Sequence, residues 1–128
     1  MSKLVLIDDE PIFHKIVQMT IKDSELATQA TYSLDGEVVL DYLEEKKSDL
    51  QSLPDYIFLD LYMPLFDGWD FLNRFQNIYK SLKKNIIIYV VTSSIDPRDI
   101  DRSKLYPFVT NFISKPVMKD IFDTINFA

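Results

Sequence analysis

Short runs of apolar residues, each ended abruptly by a polar side chain, recur along this chain and are separated by amphipathic stretches. Lys3-Leu4-Val5-Leu6-Ile7 stops at Asp8-Asp9, Tyr56-Ile57-Phe58-Leu59 stops at Asp60, and Ile86-Ile87-Ile88-Tyr89-Val90-Val91 stops at Thr92-Ser93-Ser94. A strand with no polar alternation has to be covered on both faces, which is the condition of a parallel sheet between two helical layers. Two weaker runs extend the set: one near Ala27 to Tyr32, and Thr110-Asn111-Phe112-Ile113-Ser114, closed by Lys115-Pro116. The intervening segments read as helices. Pro11 opens a stretch with Ile12, Ile16 and Met19 at helical spacing, flanked by Phe13 and Val17. Asp35-Gly36 opens Val38, Val39, Tyr42 and Leu43; Asp67-Gly68 leads into Phe71, Leu72, Phe75 and Ile78. Asp96-Pro97 starts a polar helix to about Tyr106, and Val117 to Phe127 carries Val117, Ile121, Phe122 and Ile125 on one face. Glu44 to Ser52 is polar and reads as a helix end plus surface loop. Strands that alternate with helices imply right-handed crossovers. The expectation is an α/β fold, a doubly wound five-stranded parallel sheet flanked by five helices, in one domain over residues 1–128.

Composition removes several functional classes. The net charge is −6, which disfavours nucleic acid as a partner because such binding draws on cationic contacts to phosphate. The absence of cysteine excludes disulfide frameworks and thiol chemistry, and a single histidine, His14, excludes a multi-histidine metal site. His14 is expected on the surface of the first helix. Neither GxGxxG nor GxxxxGK[ST] occurs, so dinucleotide and P-loop sites are disfavoured. The apolar run Leu4 to Ile7 is too short for a signal peptide or a membrane span, and a cytoplasmic location is the default.

In an open parallel sheet, ligands bind beyond the carboxyl ends of the strands. The polar residues that end the runs would therefore meet: Asp8 and Asp9, Asp60, Thr92 and Lys115. Taken singly, each has a bland explanation as a helix cap, a loop residue or an exposed turn. Taken together, the carboxylates would repel one another without a cation, and an oxygen-only donor set suits Mg²⁺. A lysine and a threonine hydroxyl beside them match a phosphoryl group. An oxygen nucleophile, a metal and donors for the equatorial oxygens are what phosphoryl transfer to a carboxylate requires. The aromatics Phe13, Phe58, Phe71 and Phe75 read as core, and Trp69 as a partly exposed residue near the site.

Asp8-Asp9, the D-x-x-M-P-x-x-D-G stretch from Asp60 to Gly68, Val91-Thr92-Ser93 and Lys115-Pro116 together resemble the receiver domain of two-component response regulators, over essentially the whole chain. The resemblance implies a flavodoxin-like receiver fold, standing alone without an output domain, and a signalling role rather than an enzymatic one. It implies Asp60 as phosphoacceptor and Asp9 as a direct Mg²⁺ ligand. Asp8 would bind the ion through water, and the Tyr62 carbonyl would be a further ligand. Lys115 and Thr92 would bind the phosphoryl group, Phe112 would be the switching aromatic, and Tyr62 and Ser94 would tune the rate of hydrolysis, a bulky Tyr62 hindering water. The implied partners are a histidine kinase or histidine phosphotransfer protein and a downstream protein target, with no membrane and no nucleic acid. Receivers also dimerise through their partner-binding surface. The family often has a cis peptide before the proline of Lys115-Pro116. Departures are a Thr92-to-Lys115 spacing one residue longer than typical, Tyr106-Pro107-Phe108-Val109 in place of a small-residue connection, and an extended Glu44 to Ser52. Two other classes fit less well. A Mg²⁺-dependent phosphatase with an aspartate nucleophile usually needs a second aspartate where Tyr62 stands, and a purely structural receiver-shaped domain usually lacks pocket residues that are present here.

Overall fold

A computed structural model describes residues 3–94 and 96–115 together with Phe122. The helix expected over 117–127 and the peptide bond to Pro116 lie outside the described residues. Chain order is β1 (Leu4–Ile7), α1 (Pro11–Ile21), β2 (Ala30–Ser33), α2 (Gly36–Glu45), β3 (Tyr56–Leu59), α3 (Gly68–Ile78), β4 (Ile87–Thr92), α4 (Pro97–Ser103) and β5 (Val109–Ser114). A single 3₁₀ turn precedes β2 (Glu25–Gln29) and another follows α3 (Tyr79–Ser81). All five strands are parallel, in the order β2-β1-β3-β4-β5.

Period-two alternation divides the strands between two cores. Ile7, Ile57, Leu59, Ile88 and Val90 pack with Leu40 and Leu43 of α2 and with Phe71, Leu72 and Phe75 of α3. Leu4, Leu6, Phe58, Tyr89 and Val91 face the other way, against Phe13, Val17 and Ile21 of α1 and against Phe122. Phe58 is fully buried and stacks on Phe122 at 5.4 Å between ring centroids. At about 25 cal/mol per Å², each such aromatic stabilises the fold by a few kcal/mol.

The helices start where the sequence signals them. Asp35 accepts from the Glu37 amide at 2.9 Å, and Asp67 and Asp70 form a reciprocal capping box on α3. Asp96 caps α4, which ends at Ser103, short of the expected Tyr106. Two amphipathic faces differ from expectation. In α1 the sheet-facing stripe is Phe13, His14, Val17 and Ile21, whereas Ile12, Ile16 and Met19 are exposed. Both stripes have helical spacing, and the one carrying the larger aromatic area is the one that turns inward. His14 is therefore buried, not on the surface, with Nε2 at 2.8 Å from the Asp8 carbonyl oxygen. In α2, Val39, Leu40 and Leu43 are buried, while Val38 and Tyr42 lie outside.

Ile88 pairs with Val109 but Tyr89 pairs with Asn111, so Thr110 is an extra residue in β5. Beyond this bulge the register runs regularly to Thr92 opposite Ser114, and the Lys115 amide donates to the Thr92 carbonyl at 2.9 Å.

Candidate functional site

Strand pairing brings the chain's chemistry to one edge. Ile7 sits beside Leu59 and Leu59 beside Val90, so Asp8 and Asp60, which follow β1 and β3, leave the sheet one step short of the level of Thr92, the last residue of β4. Asp8, Asp60 and Thr92 are almost wholly enclosed, at 1%, 5% and 0% exposure. Carboxylate oxygens of Asp8, Asp9, Glu10 and Asp60 lie within 4.8 Å of one another. Lys115 Nζ stands 2.7 Å from Asp8 Oδ2, 3.2 Å from Glu10 Oε1 and 3.8 Å from Asp60 Oδ2, above the Phe13 ring.

The acidic turn before α1 is not a capping device. Glu10 occupies the cap position without a side-chain cap bond, and Asp8 instead accepts from the Glu10 amide at 2.8 Å. Burial, then the neighbouring Asp8 charge, pushes the Asp60 carboxyl up to about 6, against the Lys115 charge and a hydrogen bond from the Tyr62 amide. For Lys115 burial works against the charged form, but the hydrogen bond to Asp8 and the Asp60 and Asp8 charges outweigh it, so its affinity for the proton rises. Asp8 Oδ2 is buried, and its contact among the described residues is the Lys115 ammonium at 2.7 Å. A clustered, oxygen-only set with a spare buried lone pair fits a hard divalent cation.

Gly68 makes the loop after β3 compact. Its amide donates to the Leu61 carbonyl at 2.8 Å, and a Cβ there would stand 2.5 Å from the Asp60 carbonyl oxygen and 2.6 Å from Leu61 Cα. Leu65, between Pro64 and Phe66, is fully exposed at φ 68°.

The remaining expected residues lie around this cluster. The Thr92 hydroxyl accepts from the Ser94 amide at 3.3 Å. Phe112 is half-buried on β5, opposite Val90, and lines a groove with Ile100 of α4 and Lys104 just after it. The hydroxyls of Tyr62 and Ser94 both donate to Asp99 Oδ2, at 2.5 and 2.6 Å. Trp69 is buried, not partly exposed: the Arg102 guanidinium lies 4.2 Å from its ring and Tyr106 stacks on it at 6.3 Å. Sequence reasoning gave Glu10 no place in the site and did not single out Asp99. Glu10 was legible as the third acid of an unbroken run, whereas Asp99 carries no sequence signal beyond sitting in the first turn of a helix. Among the described residues, no helix is long and apolar enough to cross a membrane.

The fold is shared with solved structures. A two-component response regulator from Cytophaga hutchinsonii superposes with a TM-score of 0.83 at 23% identity, covering 97% of this chain and 92% of that one. The phosphorylated cyanobacterial phytochrome response regulator RcpA gives 0.72 at 26% identity, covering 97% and 87%. The Mn²⁺-bound form of response regulator Rcp1 gives 0.72 at 24%, covering 97% and 88%. No curated protein matches the chain in sequence. The profile of the response regulator receiver domain matches residues 4–125, from the first strand to near the end of the chain. The chain belongs to the response regulator receiver domains, the signalling modules of phosphorelays.

Proposed function

We propose that Asp60 accepts a phosphoryl group from the phosphohistidine of a histidine kinase or phosphotransfer protein. The observation that carries this reading is the convergence of Lys115 on Asp8 and Asp60 at 2.7 and 3.8 Å, inside a cluster of four carboxylates. An Asp60 oxygen forms the new P–O bond as the donor's P–N bond breaks, and the departing imidazole takes up a proton. Lys115 and the Thr92 hydroxyl hold equatorial phosphoryl oxygens. Asp9 and Asp60, the Tyr62 carbonyl, and Asp8 through water would hold Mg²⁺, which supplies positive charge against the charge of the transferring group. That the fold is shared with the Mn²⁺-bound form of Rcp1 supports a divalent ion as a ligand of this chain. The phosphorylated protein adds charge to a buried pocket, and Thr92 and Phe112 shift the α4–β5 surface toward a second arrangement that a downstream protein target, or a second copy, reads. Tyr62 and Ser94 set how long the acyl phosphate lasts. The net charge of −6 argues against nucleic acid as that target.

Intact mass after incubation with acetyl phosphate and Mg²⁺ tests the reading. The wild type gains the mass of one phosphoryl group and Asp60→Asn gains none. An unchanged wild type, or a gain that survives the substitution, overturns it.

A further inference from the structure

The buried carboxylate of Asp99 has been diverted from the job its position suggests. It is the third residue of α4, where an acid commonly reaches back to the amide of the cap residue, as Asp70 does for Asp67 in α3 at 3.0 Å. In α4 that amide, Asp96 N, is bonded instead by the Ser94 hydroxyl at 3.2 Å. Asp99, at 8% exposure, turns away from the helix start and accepts both the Tyr62 and the Ser94 hydroxyls on one oxygen. A buried carboxylate needs such donors to offset its lost hydration.

The consequence is a bridge. Tyr62 stands two residues after Asp60, in the loop between β3 and α3, and its hydroxyl is held on α4, which follows β4. Since β3 and β4 are neighbours, the half-exposed ring reaches from the loop after β3 to the helix after β4. The Trp69 indole of α3 also faces the phenol, and Arg102 of α4 covers that indole. The acceptor loop, the exit of β4 and two helices thus meet at one phenol.

We propose that Asp99 is a positioning residue: it latches the Tyr62 ring across the β3–β4 side of the acceptor pocket and thereby sets how often water reaches a phosphoryl group on Asp60. The inference rests on the receiver reading and adds α4 to it. Anything that moves α4 changes the lifetime of the phosphorylated state, and opening the latch frees α4.

The test is the decay of the acyl phosphate, followed by intact mass after the phosphodonor is removed, in wild type, D99A, D99N, Y62F and the D99A/Y62F pair. A hydrogen bond to a charged group favours the closed ring by about tenfold over the open one, so D99A and Y62F should each speed decay by about tenfold. The pair should be no faster than either alone, because each change opens the same latch. D99N keeps an acceptor oxygen and should stay within about threefold of wild type. Calorimetric Mg²⁺ affinity should be the same in D99A as in wild type, a readout that a general loosening of the fold would move. Decay of D99A at the wild-type rate, multiplying effects in the pair, or weakened Mg²⁺ binding in D99A overturns the latch alone. If D99A does not fold, Y62F and D99N carry the same comparison. A wild type that gains no phosphoryl mass overturns the receiver reading, and the latch's role with it.

Discussion

Replacing Asp60 by asparagine should stabilise the metal-free protein at neutral pH. The Asp60 carboxyl stands at about 6 in the folded chain against an ordinary 3.8, so between those values the native state holds a proton that the unfolded state has lost. Stability therefore falls as pH rises through that window, and the loss is complete above the folded value. At pH 7 the loss integrates to about 3 kcal/mol, and at pH 5 to about half of that. Asparagine keeps the shape of the protonated side chain and has no charge to bury. In urea unfolding under a chelator, Asp60→Asn should exceed wild type by about 3 kcal/mol near pH 7, or roughly 10 °C in Tm, with the gap closing toward acid. Excess Mg²⁺ should shrink or reverse the gap, because a ligand that needs the carboxylate stabilises only the wild type. An Asp60→Asn protein no more stable than wild type under chelation, or a gap that widens as pH falls, would refute the argument that burial and the Asp8 charge dominate this carboxyl.

Leu65, left-handed at φ 68° and fully exposed, gives up no packing when changed. Leu65→Asn should raise the unfolding free energy by about 1 kcal/mol in the same urea assay, and an unchanged midpoint would contradict the strain. Gly68→Ala puts a methyl against backbone 2.5 Å away, so it should cost about 2 kcal/mol or more and slow phosphoryl uptake by displacing Asp60. Arg74 bridges Asp41 and Glu44 at 2.6 and 3.1 Å across α2 and α3 on the surface. Arg74→Ala should cost under about 1 kcal/mol, and less in high salt, as exposed pairs do.

The site was legible because each of its parts ends a strand. Asp8, Asp60 and Thr92 end apolar runs and Lys115 ends a weaker, mixed one, and a parallel sheet carries the ends of such runs to one edge whatever lies between them. The helical faces were less legible. Ile12-Ile16-Met19 and Phe13-Val17-Ile21 are equally periodic, and the choice between them is made by what the sheet offers, including the Asp8 carbonyl that takes up His14. Trp69 looked half-exposed because nothing nearby in sequence covers it; Arg102 and Tyr106 do so from more than thirty positions away. Asp99 was invisible for the same reason. A first-turn acid reads as a helix cap, and only the arrival of Tyr62 from the β3–α3 loop gives it another partner.

The supernumerary Thr110 in β5 shows how such a chain tolerates insertion. A side chain changes sides of a sheet with every step, so a single uncorrected residue between α4 and Lys115 would send that ammonium to the opposite layer, away from Asp8. Among the described residues β5 is the outer strand of the sheet, and there a kink disturbs one ladder only. The connection ahead of it can therefore drift in length, and the surface it builds with it, while Lys115 keeps its station beside Asp8.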